Sequence, residues 1–296
     1  MRKTLVTGAG GMLGQAVTAA LRAAGHRVVP LPRGRLDITG APAVREALRI
    51  HTPDAVVNCA AFVNVDAAEM NEATALRING DGVRHLAAAC AETGARLLHV
   101  STDYVFAGDS DTPYAEDAPA APLTAYGRTK LVGERAVLEL LPDTGTVVRT
   151  AWLYGSGGAH FVATVARLVQ ARENGHRAAP IGVVDDQFGQ PTWTGDVAAR
   201  LAELLDRPPV PGVLHATNSG ETTWHGLARE VVSLLGGDPG HVRPISSAEL
   251  GRPAPRPARS TLSHGRWARE GLPPMRHWRA ALHAAWPTLG LSTRRT

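Results

Sequence analysis

The sequence predicts an α/β fold, a doubly wound parallel sheet with a smaller C-terminal domain. Three observations predict it. Short apolar segments alternate with longer amphipathic ones through the first half of the chain. The first apolar segment runs straight into a glycine-rich turn, residues 4–14 (TLVTGAGGMLG). The alternation then stops near residue 150.

The elements follow in order. Residues 5–7 read as a strand and 12–24 as a helix closing near Gly25. Residues 27–31 make a second strand and 41–52 a helix. The run 55–60 (AVVNCA) is a buried strand, 72–93 one long helix closing at Gly94, and 96–101 (RLLHVS) the next strand. A helix over 124–140 and a strand over 146–150 complete the rhythm. Crossovers between such parallel strands are right-handed. Beyond 150, helices are expected at 161–172, 194–205, 223–235 and 277–285, with a strand at 213–217. Thr222 or Thr223 caps the third of these helices. Residues 251–257 (GRPAPRP) are too proline-rich for helix or central strand, and the last few residues fray. Residues 1–150 therefore read as a dinucleotide-binding domain, with a return of the chain at 192–217. Residues 151–296 read mostly as a substrate domain.

The glycine spacing carries the ligand class. Gly8 allows the tight turn, Gly11 lets backbone approach a pyrophosphate, and Gly14 lets the helix pack on the strand. The helix N-terminus directs N–H groups and positive dipole at the phosphates. Together these make a Rossmann-type sheet.

Bulk properties exclude other classes. The chain has 296 residues, 44% hydrophobic and 20% charged, within the range of a soluble globular protein. Its formal net charge is +4, but no aromatic-interleaved basic stripe points to nucleic acid. No apolar run reaches the length of a membrane span, and the N-terminal apolar stretch stops at Gly8, too short for a signal-peptide core. Cys59 and Cys90, the two cysteines, read as buried thiols in a reducing cytoplasm.

Ser101, Thr102 and Asp103 end a strand at the carboxyl edge of the sheet, where doubly wound folds bind ligands. Tyr126 and Lys130 lie four apart on the next helix and share a face. An ammonium near a phenol lowers its pKa toward useful proton transfer. A Thr102 hydroxyl would hold the substrate oxygen in the same cluster. The second strand ends at Leu31 without the acid that binds the ribose 2′-hydroxyl of NAD, and Arg33 follows. Arg33 suits a 2′-phosphate, so NADPH is expected, with NADH as the alternative. Arg256, in the proline-rich loop, is a candidate for bidentate binding of a pyrophosphate. Asp185 and Asp186 offer oxygen ligands of the kind magnesium takes at a subunit contact. The plainer reading is a solvated turn, no histidine spacing fits zinc, and no metal ligand is assigned.

Several stretches narrow the chemistry further: 102–106 (TDYVF), 125–127 (AYG), 149–155 (RTAWLYG), 185–187 (DDQ), 189–192 (GQPT), Val65-Asp66 and 222–224 (TTW). Over residues 3–285 the chain resembles the extended short-chain dehydrogenase/reductases, and within them the dTDP-4-dehydrorhamnose reductases. Residues 186–194, 223–224 and 277–282 are similar to dTDP-dihydrostreptose synthases of aminoglycoside pathways. The resemblance implies a 4-ketoreductase acting on a dTDP-keto-deoxysugar. It implies that Thr102, Tyr126 and Lys130 form a catalytic trio, with Tyr126 protonating the alkoxide and Lys130 also bonding the nicotinamide ribose. It places Thr102, Asp103 and Trp152 against the sugar. It places Gly11, Met12, Leu13, Asp37, Ile38, Ala60, Ala61 and Phe62 against the dinucleotide. His160 stands where the family usually has asparagine. Dimers are common in the superfamily. The related dehydratases follow the threonine with Asp and Glu, whereas Tyr104 follows Asp103 here. An epimerase usually carries the missing acid after the second strand. A non-catalytic regulatory subunit, like the partner of methionine adenosyltransferase, would not need the Tyr126–Lys130 pair.

Overall fold

The computed structural model describes residues 1–173 and 180–291. The expected fraying of the last residues falls outside them. Five strands come from the first half: β1 (Lys3–Thr7), β2 (Arg27–Leu31), β3 (Ala55–Asn58), β4 (Arg96–Thr102) and β5 (Gly145–Thr150). With the strand Gly212–His215 they form one parallel sheet, ordered Gly212–His215, β5, β4, β3, β1, β2. The order reverses between β1 and β3, and their carboxyl ends define the ligand crevice of such sheets.

Side-chain alternation splits the strands between two cores. Val6, Val57, Leu98 and Val148 face helix α1 (Met12–Ala23) and the helix Thr194–Asp206, packing on Leu13, Val17, Leu21, Leu201 and Leu205. Their neighbours Leu5, Val56, Leu97 and Val147 face the other way. There they meet Val44 and Leu48 of α2 (Ala41–His51), with Leu86 and Cys90 beyond. Burying each such leucine is worth roughly 1.5–3 kcal/mol. That both faces are covered explains the unbroken apolar strands.

Two local features depart from the sequence reading. A short helix, α3 (Val65–Met70), precedes the long one, capped by the Asn64 side chain, which accepts from the Ala67 N–H at 3.0 Å. The expected single helix is α4 (Glu72–Leu76), a π-helical turn over Arg77–Asp81, and α5 (Gly82–Thr93). Within that turn the Asn79 amide takes both backbone groups of Phe62 and donates to Thr129 Oγ1. An inward polar side chain thus replaces regular helical winding. The next helix, α6 (Ala125–Leu140), starts as expected at Thr124, whose hydroxyl accepts from the Gly127 N–H.

A separate cluster lies beyond β5. Tyr154, Val162, Val165, Leu227, Val231, Trp278 and Leu282 pack together. They come mainly from the helices Phe161–Glu173, Trp224–Leu234 and Trp278–Leu289. Thr223 caps the second of these. Residues 251–257 form neither helix nor strand. Among the described residues, no helix is long and apolar enough to cross a membrane, and no disulfide joins Cys59 to Cys90.

Candidate active site

A cleft of about 820 Å³ opens over the carboxyl ends of β1, β3 and β4. Its first wall is the glycine turn. Gly8 has φ +64°, and a Cβ there would lie 2.6 Å from the Ala60 nitrogen. A Cβ on Gly14 would lie 2.2 Å from the Gly8 carbonyl, so the third glycine is needed for helix–strand packing. Gly11 begins α1 with no side-chain cap, and the first turn holds no acid. The free N–H groups and helix dipole therefore face the cleft without a competing carboxylate. This cradle fits a pyrophosphate.

Gly8, Gly11, Met12, Leu13, Gly14, Arg33, Asp37, Ile38, Ala60 and Ala61 all line the cleft. Asp37 accepts from the backbone and hydroxyl of Thr39 at 3.0 and 2.8 Å, and those bonds, aided by Arg33, hold its carboxyl below the usual range. Arg33 is exposed at the cleft edge, where a guanidinium can meet a phosphate. Phe62 is not part of the lining. Its ring packs with Ala68, Ala75 and Ala125, and its backbone is held by Asn79.

Thr102, Asp103, Tyr126, Lys130 and Trp152 also line the cleft. β4 delivers Thr102 and Asp103 at its carboxyl end. The Thr102 hydroxyl accepts from the Tyr104 N–H at 3.2 Å and donates to Asp103 at 3.1 Å. Asp103 also accepts from the Ser260 hydroxyl. Its burial pushes the carboxyl up to about 6, against the pull of those hydroxyls. Burial pushes the Tyr126 phenol up to about 12, with Thr102 pulling it down and Asp103 pushing it further up. The expected pull of Lys130 on Tyr126 is not found. The Lys130 amine donates to the Val100 carbonyl at 2.7 Å and lies 3.4 Å from His99 Nε2. The helical spacing sets a shared face, but the flexible lysine stem turns its end to the sheet. Burial lowers Lys130 to about 8, with Glu134 and Cys59 pushing the other way.

The far wall is aromatic. Trp152 sits at φ +43°, a strained conformation for a bulky residue. Its indole stacks on Trp224, which also lines the cleft and donates its indole N–H to Gln187 at 3.1 Å. Phe161 packs against Trp224 in turn. The sequence flagged the Thr-Thr-Trp stretch but not this packing, because the two tryptophans come from distant segments.

One expectation needs correction, and two further positions singled out in the sequence are committed elsewhere. Arg256 does not line the cleft. Its guanidinium is held by Asp66 at 3.0 Å and the Ala254 carbonyl at 3.1 Å, which commits it to a carboxylate of the chain's own. His160 is turned from the cleft to its own helix, where Nδ1 accepts from the Ala163 N–H. Asp185 accepts from Thr223, and Asp186 from the backbone and hydroxyl of Ser247, so the magnesium reading has no support. Among the described residues, no three His, Cys, Asp or Glu side chains gather as a metal donor set.

The family model described as the RmlD substrate binding domain matches residues 1–289. A Streptomyces griseus protein named dTDP-4-dehydrorhamnose reductase is 55% identical over 289 residues, covering 96% of this chain and 93% of its own. A Streptomyces niveus protein named dTDP-4-keto-6-deoxy-D-glucose reductase is 50% identical over 285 residues, covering 96% of each chain. Among solved structures, the Bacillus anthracis dTDP-4-dehydrorhamnose reductase in complex with NADP superposes with a TM-score of 0.91. It is 34% identical, with 97% of this chain and 99% of that one covered.

Proposed function

The chain belongs to the RmlD substrate binding domain family, and from that premise we propose that it is an NADPH-dependent 4-ketoreductase of a dTDP-4-keto-6-deoxysugar. The observation that carries this reading is one cleft uniting the glycine cradle, Thr102, Tyr126 and Lys130. The cradle and Arg33 would hold NADPH, which supplies the hydride for the sugar carbonyl carbon. The NADP in the Bacillus anthracis relative supports this cofactor.

Each residue then has a role. Tyr126 donates the proton to the carbonyl oxygen as negative charge develops there. Its phenol is strongly protonated, so it stores the proton until that charge arrives. Thr102 hydrogen-bonds the same oxygen and orients it. Lys130, its amine turned to the Val100 carbonyl, would serve the cofactor ribose rather than the phenol. Asp103 and the Trp152 wall seat the sugar, the carboxyl accepting hydroxyl protons and the indole covering an apolar sugar face.

Rhamnose-type and dihydrostreptose-type products share this framework. Incubation with NADPH and dTDP-4-dehydrorhamnose, with product identification, tests the proposal. Formation of dTDP-rhamnose assigns simple ketone reduction, and formation of dTDP-dihydrostreptose assigns the aminoglycoside branch. Tight NADPH binding with no reduction of any dTDP-4-keto-6-deoxysugar would overturn the reductase reading.

A further inference from the structure

Beneath the cleft, a line of polar side chains crosses three neighbouring strands. Thr7 of β1 is in register with Asn58 of β3, and Asn58 with His99 of β4. All three are fully buried, and Lys130 is 2% exposed. Thr7 Oγ1 donates to Asn58 Oδ1 at 2.6 Å, Asn58 Nδ2 lies 2.9 Å from His99 Nδ1, and His99 Nε2 lies 3.4 Å from Lys130 Nζ. Buried polar groups in otherwise apolar strands demand a reason.

The hydrogen-bond demands fix where the proton sits. The Ala60 backbone N–H donates to Asn58 Oδ1 at 3.1 Å. A backbone N–H only donates, so the amide oxygen must face Ala60 and Thr7, and the amide NH₂ must face His99. The NH₂ group also only donates, so His99 Nδ1 accepts. A neutral imidazole then carries its proton on Nε2, pointed at Lys130. His99 is neutral, because burial, with Lys130 beside it, holds it well below its ordinary value. A protonated Nε2 has no lone pair to accept an ammonium N–H, but donates well to the lone pair of a neutral amine.

We propose that Asn58 and His99 are positioning residues that present Nε2–H to Lys130 Nζ and so favour its neutral form. This rests on the reading of Lys130 as part of the reductase site. The other groups facing Lys130 act oppositely or weakly. Glu134 and the Cys59 thiol favour the ammonium, but Glu134 is bound to Arg149 by two bonds. The Val100 carbonyl accepts one Nζ proton and fixes the amine's direction. Tyr126, on the same helix, is neutral across this range. The chain also ties Lys130 to the glycine turn, since Thr7 directly precedes Gly8.

The test begins with the wild-type protein carrying ¹⁵N-imidazole histidine, the His99 signals being assigned from His99→Gln. The expected result is an unprotonated Nδ1 and a protonated Nε2 at neutral pH. An Nδ1–H tautomer, or an imidazolium, would overturn the proposal. The second arm is Asn58→Asp, read by ¹³C-lysine titration with Lys130→Met for assignment. A carboxylate at position 58 accepts from Nδ1–H, which turns the Nε2 lone pair to Lys130. Lys130 should then hold its proton ~10-fold more tightly or better, read as an upward move of its titration midpoint by about one pH unit. An unchanged titration in a folded Asn58→Asp protein would overturn it. If that variant does not fold, the wild-type tautomer decides. Neither spectroscopic readout needs a dTDP-sugar, so failure of the reductase reading would leave both results standing.

Discussion

The indoles of Trp152 and Trp224 lie face to face, centroids 3.5 Å apart and planes 5° from parallel. The pair fixes the aromatic wall of the cleft, with Trp152 held in a left-handed backbone conformation and a Cβ on Gly189 excluded at 2.4 Å from its Cε2. Trp224→Ala removes the support without touching the glycine cradle. Aromatic pairs contribute ~0.5–1.5 kcal/mol beyond their burial, so KM for the nucleotide sugar should rise about 3–10-fold. NADPH affinity should stay within twofold or so. Steady-state kinetics with a fluorescence titration of NADPH checks both values.

Tyr126→Phe should bind NADPH as the wild type does and lose turnover by ~100-fold or more, the usual worth of a positioned proton donor. Normal turnover would mean that another group protonates the alkoxide. The variant keeps the ring that packs edge-to-face on Tyr104, so folding should be preserved.

Asp103 gives a pH signature in stability. Burial raises its folded-state pKa to about 6 from the ordinary 3.8. The folded state therefore binds this proton more tightly than the unfolded chain. Its contribution to stability is fully present below 3.8 and is lost as pH rises through about 6. Asp103→Asn should remove that slope. The difference between the two proteins should change by on the order of 1–3 kcal/mol over this window, measured by urea unfolding at each pH. Parallel curves would exclude the shift.

Arg149 and Glu134 form a bidentate pair at 2.9 and 2.7 Å, with side chains 5% and 1% exposed. Glu134→Ala leaves a buried guanidinium unpaired and should cost about 3–5 kcal/mol in urea unfolding. A cost under ~1 kcal/mol would mean that water or Glu116 compensates.

Much of this was legible in the sequence because it is local. The strand–glycine–helix start around Gly8 and the Tyr126–Lys130 spacing each lie within a few residues. The apolar strands show their burial directly. What escaped depends on register between separated segments. Nothing local says that Asn58 meets His99, or that Trp152 meets Trp224. Lys130 shows the same limit from the other side: its position on α6 is readable, but the direction of its amine is set by the Val100 carbonyl. Arg256 was placed by its charge, and its partner Asp66 lies far away in sequence. The π-helical turn escaped because residues 72–93 carry an unbroken helical pattern. The inward pull on Asn79 comes from Phe62 and Thr129.

The most direct measurement is hydride transfer itself. The protein would be given NADPH carrying deuterium at the transferring position and dTDP-4-dehydrorhamnose, and the product examined by mass spectrometry and NMR. One deuterium is expected on the carbon that was the ketone, with transfer slowed ~100-fold or more in Tyr126→Phe. Product formed without deuterium at that carbon, or no reduction with NADPH bound, would contradict the reductase reading.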